Sequence, residues 1–130
     1  MFYPFFTPCL NCWHWQGFLV RCALRPDEPR LLDFHEWHGQ QLMERGLLDA
    51  WRVSRITLEL LLDTASDPAL PWHWRALCLD RAYRPLRVMQ QQANDLPRQR
   101  SLNLLLNRLA TLRLQPSLSF HESAQGHSYE

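Results

Sequence analysis

Apolar side chains recur at helical spacing along most of this chain, and no clean alternation of β-branched residues appears anywhere in it. That pattern predicts an all-α fold, a single-domain bundle of about five helices over residues 1–114. Thr7 is placed to cap a first helix with Pro8 at its first position. Trp15, Phe18, Leu19 and Cys22 then fall at i, i+3, i+4 and i+7, the spacing of a buried face, before Pro26 and Pro29 stop the helix. A second helix, residues 30–45, carries Leu31, Phe34, His35, His38 and Leu42 on one face, with Gly46 placed to end it. Residues 48–66 are apolar around most of the helical circumference, which predicts the central helix of the bundle. Asp67 stands ready to cap a fourth helix that ends or kinks near Pro85, with Gln90, Gln91 and Gln92 as a continuation. Leu102, Leu105, Leu106, Leu109 and Leu112 mark a last amphipathic helix over 98–114. From 115 to 130 the apolar pattern collapses into a polar tail, expected to be disordered because burial alone cannot offset its ordering entropy.

Across this pattern the chain repeats itself. The segment from Trp13-His14-Trp15 to Arg25-Pro26 is echoed by that from Trp72-His73-Trp74 to Arg84-Pro85, with six identical positions in the same register. Both copies read as a helix with aromatic weight at its start and a proline at its end, and they suggest two similarly built core helices.

Charge narrows the list of partners. The net charge is +1, so no basic field steers the protein to nucleic acid or to an anionic membrane. All 14 basic residues are arginine, which removes Schiff-base chemistry and a P-loop lysine. Four glycines, at 17, 39, 46 and 126, leave no dinucleotide loop and no nucleophile elbow. The expectation is a protein that is not an enzyme. No apolar run approaches the roughly 18 residues of a membrane span, and residues 1–8 lack the charge and cleavage site of a secretory signal, so a cytoplasmic location is expected.

Several residues have ligand chemistry. Cys9 and Cys12, followed by His14, form a Cys-x2-Cys pair that is half of a tetrahedral metal site or a redox dithiol, although buried or incidental cysteines give the same string. His35-Glu36-Trp37-His38 has one residue too few between glutamate and second histidine for the metalloprotease motif. His35 and His38 nevertheless share a helix face, and Glu59 and Asp63 share another, so the four could complete a mixed site between helices. His14 and His73, each between two tryptophans, are candidate ligands for a haem or a bare metal, or ordinary neighbours of core indoles.

The strings Arg21-Cys22-Ala23-Leu24-Arg25-Pro26-Asp27-Glu28-Pro29-Arg30-Leu31, Leu60-Leu61-Leu62-Asp63-Thr64-Ala65 and Ala69-Leu70-Pro71-Trp72-His73-Trp74-Arg75 resemble the FagA family, small bacterial proteins associated with the ferric uptake regulator. The likeness continues through Leu77-Cys78-Leu79-Asp80 and Arg84-Pro85-Leu86 and covers roughly residues 13–92. It implies expression under iron shortage and an accessory role in iron homeostasis, without an activity or a ligand set. Among matching residues, His73, Cys78, Asp63 and Asp80 are the candidates for iron or zinc; Cys9, Cys12, His35 and His38 lie outside the family pattern, and Glu59 is a candidate only through the mixed site with the two histidines. The alternative is a helical interaction module, forming a homodimer or a complex with an unidentified protein partner, since six tryptophans in 130 residues exceed what a small core usually holds.

Overall fold

The computed structural model describes residues 7–118. Among them are six helices and no strand: α1 (Leu10–Arg21), α2 (Arg30–Glu44), α3 (Ala50–Ala65), α4 (Trp72–Arg81), α5 (Tyr83–Gln92) and α6 (Leu96–Thr111). The predicted fourth helix is divided into α4 and α5 at Ala82, three residues before Pro85. A proline ring collides with the carbonyl four residues earlier, here that of Arg81, so α4 stops there and Pro85 sits in the first turn of α5.

Local sequence accounts for most of the ends. Gly46, at φ +73°, terminates α2 as expected, with Leu47 N–H bonded to the Leu42 carbonyl and Gly46 N–H to that of Met43. The same pair of bonds ends α1, where Leu24 reaches Leu19 and Ala23 reaches Val20, but here the left-handed residue is an alanine, Ala23 at φ 50°. Asp49 and Asp95 cap α3 and α6 by accepting from the backbone N–H of Arg52 and Arg98, both at 2.8 Å. Two expected caps fail. Thr7 is displaced by Cys9, which holds the extended N-cap conformation while its own N–H is taken by the imidazole of His38. Asp67 closes a tight turn onto the Ala69 N–H and pairs with Arg21 at 2.7 Å, leaving Pro71 to open α4.

The central position predicted for the third helix is occupied by α3, which packs on α1, α2, α4 and α5, while α6 rests on α5. One cluster of the core joins Trp51, Leu58 and Leu62 to Met89, Leu102 and Leu105; a second joins Val20, Leu32 and Leu61 to Trp74 and Cys78. Around Trp13, Leu42 and Val53 a third cluster forms, where α1, α2 and α3 approach through Gly39. A Cβ there would lie 2.9 Å from Val53 Cγ1 and 3.3 Å from Trp13 Cζ2, so glycine is what permits the crossing.

The face of α1 is rotated from expectation. Trp13, Gln16 and Val20 are buried, whereas Trp15 and Phe18 are 58% and 49% exposed and stack on each other. In consequence the two Trp-His-Trp segments are not structural equivalents. The first buries its leading tryptophan and the second its trailing one, Trp74.

Residues 115–118, the start of the predicted polar tail, are fastened to the bundle. Arg75, 1% exposed, donates to the Ala65 carbonyl, the Gln115 carbonyl and Ser117 Oγ; Ser117 in turn donates to the Leu70 carbonyl at 2.6 Å. Residues 119–130 of that tail lie outside the described residues, as do 1–6.

Candidate functional site

The sequence-predicted ligands do not come together. His73 is exposed at the start of α4 and donates from Nε2 to the Pro26 carbonyl at 2.9 Å, tying α4 to the loop after α1. Cys78 is fully buried beside Val20, Leu61 and Trp74, and burial pushes its thiol up to about 12, which leaves it protonated and unreactive. Asp63 is bound to Arg108 at 2.8 Å, Glu59 pairs with Arg55 one turn earlier, and Asp80 is exposed. Among the described residues no three His, Cys, Asp or Glu side chains gather where a metal ion could be held. The reason is angular: i, i+3 and i, i+4 spacing aligns residues on one helix, but neighbouring helices turn their carboxylates outward to arginines.

His35 and His38 are both buried, in different settings. His38 sits between helices, with Nε2 accepting from the Cys9 N–H at 3.1 Å and Nδ1 3.0 Å from Gln16 Oε1. Because the amide oxygen is an acceptor, the Nδ1–H tautomer satisfies both bonds. Burial lowers its pKa, so neutrality and hydrogen bonding agree. The His35 ring stacks on Trp13, centroids 4.9 Å apart and planes 16° from parallel, while Trp13 Nε1 donates to the His35 carbonyl at 3.0 Å. The Nε2 of His35 faces α1, where a Cβ built on Gly17 would lie 3.6 Å away. Burial first, then the nearby His38 and His14, brings the pKa of His35 down to about 3, so its imidazole is neutral.

His35 lies on the wall of a cleft between α2, α3 and the α4–α5 corner. The cleft, partly open to solvent, has a volume of about 80 Å³, more than one or two waters need. Leu32, Met43, Val53, Leu61, Pro85 and Val88 make the lining mainly apolar, and Ser54 and Thr57 add hydroxyls from α3. Two ion pairs cross the rim from α2 to the corner: Arg81 with Asp33, and Arg84 with Glu36 at 2.8 Å. Half-exposed pairs of this kind each contribute about 0.2–1 kcal/mol. Their larger consequence is electrostatic, since each guanidinium at the rim is already matched by a carboxylate.

Spacing alone could not reveal this cleft. His35 was legible as a buried-face histidine, but Ser54, Arg81 and Arg84 belong to other helices and no local motif links them. No family model matches the chain, and no curated protein or solved structure does either.

Proposed function

We propose that this protein is a non-enzymatic accessory of the iron-limitation response that works by holding a small, uncharged, mostly apolar molecule in the cleft walled by His35. The observation that carries the reading is a mainly apolar cleft between α2, α3 and the α4–α5 corner, with the hydroxyls of Ser54 and Thr57 and the neutral ring of His35 on its wall. An apolar pocket holding a few polar groups is the commonest form of a small-molecule site. The paired rim charges favour an uncharged ligand, because an anion or cation would have to displace a partner already in place. The link to iron limitation rests on the resemblance of residues 13–92 to the FagA family.

Phenol, uncharged and carrying one hydroxyl, is a suitable probe. Titration into isotope-labelled protein is expected to give saturable NMR shifts at residues of α2, α3 and the α4–α5 corner, and Ser54→Leu, which fills the cleft, is expected to abolish them. Shifts that fail to saturate, or that survive Ser54→Leu, would overturn the site. The iron link is tested by following the level of the protein after an iron chelator is added to growing cells; an unchanged level removes it.

A second reading, contact with a protein partner or another copy of this chain, is favoured by the stacked and exposed Trp15 and Phe18 on the outer face of α1. It predicts that Trp15→Ala with Phe18→Ala lowers the apparent mass in sedimentation without altering phenol binding.

A further inference from the structure

The other unused chemistry is at the start of α1. Cys9 is the N-cap residue, extended at φ −145° and ψ 131°, and Cys12 is the third residue of the helix. The Cys9 carbonyl already accepts the first helical bond, from Trp13 N–H at 2.9 Å, so the Cα of Cys9 lies on the helical path. Three residues apart on that path, two Cα atoms are about 5 Å from each other, within the roughly 4.4–6.8 Å that a disulfide spans. Cys12 is exposed and Cys9 half-buried. Cys22 stands at the opposite end of α1 and Cys78 in the core, so neither competes for a partner. No third His, Cys, Asp or Glu joins the pair among the described residues, which separates a dithiol from half of a metal site.

We propose that Cys9 and Cys12 are a reversible dithiol, oxidised to an intramolecular disulfide by low-molecular-weight disulfides, whose state is transmitted to the α1–α2 contact through His38. The transmission is one bond long, since the Cys9 N–H is the donor to His38 Nε2. Cys9 is the attacking sulfur. Its thiol is held below the usual range first by the backbone N–H of Cys12 and then by the Cys12 thiol, while the proximity of Cys9 raises that of Cys12. The Cys9 thiolate attacks one sulfur of glutathione disulfide, the S–S bond breaks, and one glutathione leaves as thiolate. The Cys12 thiolate then attacks Cys9 Sγ, breaking the mixed disulfide and releasing the second glutathione. Two protein thiols are oxidised, one glutathione disulfide is reduced, and the two protons go to the departing thiolates. This proposal does not depend on the cleft or its ligand.

The test uses the full chain, equilibrated in glutathione buffers of increasing oxidation and then acid-quenched. Expected at the oxidised end is a fall from four titratable thiols to two, with a Cys9–Cys12 cross-link in the peptide map, restored by reductant. In Cys12→Ser the same buffer should leave glutathione attached to Cys9. Four remaining thiols, or glutathione accumulating on Cys12 or Cys22 of the natural chain without a cross-link, would overturn the dithiol. The second arm is the ring nitrogen spectrum of His38: a shift between reduced and oxidised protein is expected, and its absence overturns the coupling.

Discussion

Acidification should reveal the cost of keeping His35 neutral. In the folded protein its pKa is lowered from 6.5 to about 3, chiefly by burial. Above the unfolded value neither state binds the proton; between the two values only the unfolded chain does. Stability is therefore complete above about pH 6.5 and falls as the pH drops toward about 3. At about pH 5 the solution is some 1.5 units below the unfolded pKa, and at about 1.36 kcal/mol per unit the loss from this residue is about 2 kcal/mol. His38, also lowered by burial, adds a loss of the same sign. His35→Phe removes the titrating group and retains a flat ring against Trp13. Urea unfolding at about pH 7.5 and about pH 5, followed by tryptophan fluorescence, gives the pH-dependent loss for each protein. The variant should lose about 2 kcal/mol less than the natural chain over this interval. Equal losses would show that the proton of the unfolded state is not excluded by the folded site, and would refute both the burial argument and the neutral imidazole at the cleft.

Further tests follow from single contacts. Trp13→Phe and Trp74→Phe each remove an indole N–H from a buried carbonyl, that of His35 or Val20, and should each cost about 1–2 kcal/mol in urea unfolding; Trp15→Phe should stay within about 0.5 kcal/mol, and a comparable cost at all three would refute the assigned faces. Arg75→Leu strands three acceptors, so it should destabilise by about 3 kcal/mol and speed tryptic cleavage after Arg113; unchanged cleavage would refute the docking of 115–118. Gly39→Ala sets about 2 kcal/mol of overpacking against about 1 kcal/mol of better helix propensity. A net loss of about 1 kcal/mol is expected, less than additive with Val53→Ala, and full additivity would refute the close crossing.

The sequence by itself determined the helical class, the central place of α3 and the glycine end of α2, because each depends on residues within a few turns of one another. A caps-and-periodicity reading carries such information directly: Gly46 has only to adopt positive φ, and the apolar residues of α3 have only to be too many for a surface helix. Tertiary packing decided the rest. Gln16 is buried and Phe18 exposed on α1 because His38 and Trp13 fix the rotation of that helix against α2, and hydropathy favours the reverse. The Trp-His-Trp echo records shared composition with different faces inward, since each copy turns toward its own neighbouring carbonyl. The polar tail was legible as lacking apolar anchors, but its first residues are held by hydrogen bonds from Arg75, some 40 positions away. The cleft belongs to the same class of outcome. His35, Ser54, Arg81 and Arg84 meet only through the crossing of four helices, and such distances in space leave no trace in the spacing of residues along one chain.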